Sequence, residues 1–256
     1  MDKLTIIKVG GAVVEQPETL EALLGQFAHI EGHKVLVHGG GRSATSMAAR
    51  LGIESRMVEG RRVTDEAMLE VVTMVYGGLV NKRLVARLQA LGVNALGLTG
   101  ADMDIIRSHK RTGTTVDYGW VGDVDRADGP RLAALLEQGI TPVVAPLTHD
   151  GEGHLLNTNA DTMASTVACA LAPFFDVTLT FAFEKAGVLL DPEDDDSTIY
   201  HITPASYEEL KADGIVTGGM LPKLDNAFAA IAQGVKRVLI TSWADLEGCS
   251  GTVLQN

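Results

Sequence analysis

The stretch KVGGAVV, Lys8 to Val14, closes a short apolar run that begins at Leu4 and breaks on two adjacent glycines. A nearly continuous apolar run of this length suits a strand covered on both faces. The lysine inside it has two readings. In one it snorkels to solvent from a strand-to-helix turn. In the other, glycine N–H groups approach phosphate oxygens and the lysine adds positive charge. The rest of the chain has to decide between them.

Four further runs repeat the pattern: KVLVHG (Lys34–Gly39), TPVVAPL (Thr141–Leu147), DVTLTFAF (Asp176–Phe183) and RVLIT (Arg237–Thr241). Helical periodicity lies between most of them. Glu18 to His29 is amphipathic, and Ser43 to Leu51 reads as a helix opening with serine. Asp65 to Leu91 is the longest periodic segment, with Met68, Val72, Val75 and Leu79 spaced by four and three. Pro130 before RLAALLEQG supplies a helix start, body and glycine stop. Ala160–Ala172 and Leu221–Gln233 complete the set. Strands alternating with helices predict an α/β fold, a three-layer αβα sandwich on a mainly parallel central sheet. Met57–Thr64 and Thr115–Asp125 read as hairpins centred on Gly60 and Gly119. Pro173 marks a boundary between two lobes, residues 1–172 and 173–256. The acidic loop Asp191–Thr198 reads as solvated.

The 256 residues are 46% hydrophobic and 21% charged, enough for a large core. A net charge of −12, with 5% aromatics and no basic patch, argues against a nucleic-acid partner. Two cysteines, Cys169 and Cys249, are too few for a metal motif or a disulfide framework and point to a reducing cytosol, hence a cytoplasmic protein. No apolar run approaches the ~20 residues of a membrane helix. The N-terminus lacks a secretory h-region, and a first strand starting near Leu4 leaves no room for a preceding arm.

Four more motifs carry chemistry. HGGGRSA (His38–Ala44) follows a strand and opens a helix, so its glycines form an N–H cradle at a positive helix end. LLNTNADTMAS (Leu155–Ser165) places Asn157, Asn159 and Asp161 before a helix; capping accounts for one of the three. GGMLPKLDNA (Gly218–Ala227) puts Lys223 in a first helical turn, which the helix dipole disfavours unless an anion lies between. EGRRVTD (Glu59–Asp65) offers an arginine as a carboxylate clamp. Taken singly, each also has a plain structural explanation.

In order and spacing, KVGG, VHGGG, EGRRVTD, GGLVNK (Gly77–Lys82), LGLTGAD (Leu96–Asp102), GHLLNTNAD and GGMLPK resemble the amino acid kinase family over Ile6 to Thr252. The resemblance implies ATP-dependent phosphorylation of the γ-carboxylate of an N-acylated L-glutamate, N-acetyl first and N-succinyl second. It implies that Lys8 neutralises the phosphoryl group in flight, Lys223 acts on the leaving side, and Asp161 holds both lysines. Gly10 and Gly11 would bind phosphate; Gly40, Gly41, Arg62, Asn157 and Asn159 would bind the acceptor. Glu184, Gly187, Val188, Leu189, Ile215, Val216 and Thr217 would meet the nucleotide, although Glu184 and Lys185 stand where the family usually has Asp-Val. Mg²⁺ would be held mainly by nucleotide phosphates, with no protein metal site. The resemblance further implies a homodimer through the Met68–Leu91 helix, insensitive to arginine. Two rivals remain: a sibling kinase acting on UMP, aspartate, carbamate or an isoprenoid phosphate, and a non-catalytic nucleotide- or oxyanion-binding protein.

Overall fold

The computed structural model describes residues 1–255 apart from Glu59, Pro192, Gly219, Gly248 and Cys249, and describes Ala12 and Pro222 by backbone alone. Glu59 of the arginine motif, Pro192 of the acidic loop, Gly219 and the Pro222 side chain of GGMLPK, and Cys249 therefore lie outside the described residues.

Every apolar run contributes a strand to one sheet. Its order is His201–Ile202, Thr252–Leu254, Arg237–Ser242, Asp176–Phe183, Lys3–Val9, His33–His38, Thr141–Val144, Ala95–Leu98. All pairings are parallel except Arg237–Ser242 with Thr252–Leu254. The period-two alternation of the first strand sorts its side chains between two cores. Leu4 and Ile6 join Leu179, Phe181 and the helices Gly129–Glu137, Ala160–Leu171 and Met220–Ala232. Ile7 and Val9 join Leu36 and the helices Pro17–His29, Gly41–Arg50, Glu66–Val72 and Asn81–Ala90. The result is the expected three-layer sandwich.

The first strand lies in the middle of the sheet. The chain leaves it toward His33–His38 and later returns on its other side with Asp176–Phe183. That reversal opens a crevice at the carboxyl ends of the strands, where open α/β sheets bind ligands. The sheet runs unbroken across Pro173, because Lys3–Val9 pairs with Asp176–Phe183 along its whole length.

The long periodic segment forms as one run. Asp65 caps it by accepting from the Met68 N–H at 2.8 Å. Its middle, Thr73–Val80, winds as a π-helix over Gly77 and Gly78 before the α-helical turns of Asn81–Ala90. Gly60, at φ +74°, turns the predicted hairpin of Met57–Val58 and Arg61–Arg62.

Three expectations need correction. The helix predicted from Ser43 starts at Gly41 with Gly40 as its cap residue and no side-chain cap; the Ser43 hydroxyl donates to Glu15 instead, at 2.9 Å. TPVVAPL does not run as one strand. It ends at Val144, and beyond Pro146, which has no N–H to donate, Leu147–His149 joins a second sheet. The second hairpin is also different. Gly122–Ala127 pairs antiparallel with Ile106–Lys110, and Gly119 is a docking point, not a turn centre. A Cβ at Gly119 would lie 2.2 Å from the Thr64 carbonyl oxygen. The second sheet, ordered Leu155–Asn157, Leu147–His149, Ile106–Lys110, Gly122–Ala127, stands at the mouth of the crevice.

Candidate active site

Lys8 is the sixth residue of the first strand, on the same face as Leu4 and Ile6. Its register partner in the next strand is Phe181. This face carries the helix Ala160–Leu171, whose first turn holds Asp161. Lys8 Nζ meets Asp161 Oδ1 at 2.7 Å, with the side chains 14% and 25% exposed. The pair is therefore partly dehydrated, a setting in which charges act more strongly than in water. Burial works to raise the Asp161 pKa, but the charges of Lys8 and then Lys223 outweigh it and hold the carboxyl below its usual value.

Lys223 enters from the first turn of Met220–Ala232. Its Nζ stands 5.1 Å from the Phe183 ring centroid and 5.7 Å from that of Phe181. Phe181 and Phe183 are two apart on one strand, so both rings share a face and form a cation–π platform. Burial lowers the Lys223 pKa; the Asp161 charge opposes this and that of Lys8 adds to it. Asp161 thus contacts Lys8 directly, while its influence on Lys223 is through the field. Among the described residues, no carboxylate pairs with Lys223 within 4.0 Å.

The two glycine turns lie at the carboxyl ends of Lys3–Val9 and His33–His38, and the helices they open pack with Ile7 and Val9 on the opposite face of the sheet. Neither Gly10 nor Gly40, the residues before the helices Gly11–Glu15 and Gly41–Arg50, caps its helix through a side chain. The first N–H groups of both helices are therefore left for a ligand or solvent. The turns touch: a Cβ on Gly11 would lie 3.4 Å from Gly41 N and 3.5 Å from Gly40 N. A Cβ on Gly40 would come within 3.0 Å of the Tyr76 ring. A side chain at Gly40 would therefore press on the Tyr76 ring, whereas a Cβ on Gly11 would make ordinary contact.

Beyond the glycines opens a cleft of about 210 Å³, lined by Gly39–Gly41, Arg61, Arg62, Tyr76, Arg111 and Asn157–Ala160 among others. That volume suits an amino-acid-sized ligand; drug-sized sites run to roughly 300–1,000 Å³. Arg62 is buried, and its fork is engaged by the protein. Nη2 donates to Gly41 O at 2.8 Å and Thr45 Oγ1 at 2.9 Å, and Nη1 donates to Ser55 Oγ. Asn157 is also buried and donates through Nδ2 to Thr64 Oγ1 at 2.9 Å. Asn159 is the helix cap, its Oδ1 accepting from the N–H groups of Asp161 and Thr162. Capping thus accounts for the Asn159 side-chain oxygen, while Asn157 lines the cleft and Asp161 pairs with Lys8.

On the other side, Glu184 shares a surface hollow with Gly10, Gly11, Gly41, Arg42 and Phe183. Gly187 is packed so closely that a Cβ would sit 2.5 Å from Thr252 Oγ1. Val188 points into the core, its N–H donating to Thr252 Oγ1 and its carbonyl accepting from Ile199. Val216 is buried as well, Leu189 and Ile215 are half-buried, and Thr217 is exposed. Of the expected nucleotide set, Val188 has neither its side chain nor its backbone groups to offer a ligand.

Residues not anticipated from sequence also reach the site. Arg111 is 13% exposed and bound through Nε and Nη2 to Asp123. Tyr76 borders the glycines, and the Phe181–Phe183 platform carries Lys223. The FAF spacing was the available signal for the platform. Arg111 had none, because it extends from a strand whose polar pattern hid it.

A pair of glycine turns at a sheet reversal, with two lysines and one carboxylate nearby, is an arrangement suited to handling phosphoryl groups in an α/β protein. Residues 3–242 match the amino acid kinase family, and the chain belongs to it. It is 62% identical over 254 residues to the acetylglutamate kinase of Phocaeicola vulgatus, covering 99% of each chain. It is likewise 62% identical over 251 residues to the acetylglutamate kinase of Bacteroides thetaiotaomicron, covering 98% of each. A solved structure from Streptococcus mutans UA159 superposes with a TM-score of 0.81 at 28% identity, covering 98% of each chain.

Proposed function

We propose that the protein transfers the γ-phosphoryl group of ATP to the γ-carboxylate of N-acetyl-L-glutamate, forming an acyl phosphate for arginine biosynthesis. The Lys8–Asp161–Lys223 set beside the acceptor cleft is the observation that carries this mechanism. Close relatives bearing the acetylglutamate kinase name support the substrate.

The chemistry asks little of the protein beyond placement. A carboxylate oxygen attacks the γ-phosphorus, its bond to phosphorus forms, the bond to the β–γ bridging oxygen breaks, and ADP leaves. The acceptor is already ionised at neutral pH, so no general base is needed. Lys8 neutralises charge on the phosphoryl in transit and Lys223 the charge on the leaving side. Asp161 keeps Lys8 aimed. Gly10 and Gly11 offer N–H groups to phosphate; Gly40 and Gly41 offer theirs to the acceptor. The α-carboxylate displaces the Ser55 and Thr45 hydroxyls from the Arg62 fork, and Asn157 meets the substrate's remaining polar groups. Residues 1–172 hold the acyl-amino acid and residues 173–256 the nucleotide, with Glu184, Leu189, Ile215 and Thr217 nearest to it.

Mg²⁺ supplies charge neutralisation when bound with the nucleotide. Among the described residues, the cluster that could by itself hold an ion is the turn Asp150–Glu152–His154, and Asp161 is already committed to Lys8. The residues present therefore fit an ion held by phosphate oxygens and water.

One observation favours a second acyl group. Arg61 and Arg111 line the same cleft as Arg62, and among the described residues Asp123 is the carboxylate bound to Arg111. An N-succinyl arm would bring a further carboxylate to meet this surplus charge. ADP release with MgATP, comparing N-acetyl-L-glutamate, N-succinyl-L-glutamate, L-glutamate and no acceptor, tests both. Hydroxylamine should trap a mono-acylated glutamyl hydroxamate. Folded, ATP-binding protein that turns over none of them would sink the reaction.

Met74 stands 53% exposed on the Glu66–Ala90 helical run, and a hollow along it is lined by Leu69, Thr73 and Trp120. We assign this run to a homodimer contact; light scattering behind a sizing column should read twice the chain mass, and a monomer or hexamer would refute it. Among the described residues no helix is long and apolar enough to cross a membrane. The low cysteine count supports a cytoplasmic site of action.

A further inference from the structure

His38 ends its strand immediately before the three glycines and is wholly buried. Its Nδ1 lies 2.7 Å from the Gly39 carbonyl oxygen, and its Nε2 lies 3.1 Å from Asn81 Nδ2. Asn81 is itself buried, in the GGLVNK segment. Its amide orientation is fixed from both ends. Nδ2 donates to the Val143 carbonyl at 2.9 Å, and Oδ1 accepts from Lys82 Nζ at 3.1 Å. Lys82 in turn donates to Gly97 O at 3.0 Å. A Cβ on Gly97 would fall 1.9 Å from Asn81 Oδ1, so the network is built into the backbone around it.

This geometry sets a tautomer. A carbonyl can only accept and an ammonium can only donate, so Asn81 must present N–H to His38. Nε2 is therefore bare, and the imidazole proton sits on Nδ1, facing the Gly39 carbonyl. Burial pushes the His38 imidazole down to about 4, which keeps it neutral.

The consequence reaches the cleft through one peptide plane. The chain has no cis peptide bond among the described residues, so the Gly39–Gly40 amide is trans and its N–H points opposite to its C=O. Holding the Gly39 carbonyl against His38 turns the Gly40 N–H to the opposite side of the peptide plane, and a Cβ on Gly11 would lie 3.5 Å from that nitrogen. Glycine on both sides of this amide would otherwise let the plane flip at little cost. We propose that His38, locked by Asn81, is a positioning residue that holds the Gly39–Gly40 peptide with its N–H aimed at the acceptor carboxylate and the phosphoryl group it receives. What the N–H meets rests on the proposed reaction; the tautomer and the peptide orientation do not.

The test has two independent readouts. Nitrogen-15 spectra of histidine-labelled protein at neutral pH, with His38→Asn to assign the signal, should show His38 protonated on Nδ1 and bare on Nε2. The reverse tautomer or an imidazolium would overturn the proposal. In turnover assays, His38→Leu should lower kcat/KM for the acyl-glutamate by ~10²-fold, the scale of one oriented donor, and leave the KM for ATP nearly unchanged. His38→Asn puts an amide N–H where Nδ1–H was and should recover most of that loss. A leucine variant with undiminished acceptor kcat/KM, or an asparagine variant as poor as leucine at an unchanged Tm, would refute it. Should the leucine variant not fold, the asparagine variant and the wild-type tautomer decide. Should wild type not phosphorylate an acyl-glutamate, the reaction fails and the tautomer alone judges the positioning.

Discussion

Replacing Lys8 by methionine is expected to lower kcat by roughly 10²–10³, the cost of removing one preorganised charge-stabilising donor from a transition state. Methionine keeps most of the lysine stem, so the strand face it shares with Leu4 and Ile6 stays filled. What is lost is the ammonium 2.7 Å from Asp161. Its loss has a second effect, because the Lys8 charge is the largest of those that hold the Asp161 pKa down. Without it, burial prevails and the carboxyl titrates at higher pH. The folded state then loses, near neutrality, the stabilisation that a paired Asp161 supplies, and recovers stability as the pH falls and the buried carboxyl is protonated. Adding Asp161→Asn to Lys8→Met should restore part of the stability and none of the kcat. Measuring ADP release and Tm on both variants separates charge lost from the transition state and charge stranded in the fold. A single variant with kcat near wild type would remove Lys8 from the chemistry.

The layers of the fold were legible because apolar runs buried on both faces have little else they can be. DVTLTFAF and LTIIKV became neighbouring strands for that reason. The second sheet was not legible. IRSHK, Ile106 to Lys110, buries Ile106 and Ser108 and exposes His109 and Lys110, a polar alternation with no long apolar signature. Gly119 misled because a glycine at positive φ looks alike in sequence whether it turns a hairpin or admits a neighbouring carbonyl. For the candidate site, the ordered motifs pointed to Lys8, Asp161 and Lys223, but their meeting depends on register. Lys8 stands beside Phe181 across a strand pair whose members are 173 residues apart, since 181 − 8 = 173. No local pattern encodes that pairing. The His38–Asn81 contact was hidden for the same reason, its partners standing 43 positions apart.

Asp161→Asn should be as damaging as loss of a lysine, and it should leave a distinct mark on the pH profile. Asp161 is the one group raising the Lys223 pKa against burial and against the Lys8 charge. Asparagine removes that support while leaving both burial and the like charge in place. The Lys223 ammonium then loses its proton at lower pH, since burial and a neighbouring cation both disfavour the charged form. If the cationic form is the active one, the alkaline fall of kcat moves toward neutrality in the variant. Stability behaves in the opposite sense. The folded Asp161 pKa is depressed, so its contribution is present above the ordinary carboxyl range and fades as the pH drops through the folded value. Asparagine has no such titration, so the variant's Tm should depend less on pH in the acid range while lying below wild type near neutrality. Profiles of kcat from about pH 6 to 10 span the ordinary range of lysine and its lowered values. An alkaline limb unmoved by the substitution, with kcat lowered all the same, would mean that Asp161 acts by steering Lys8 and not by keeping Lys223 charged.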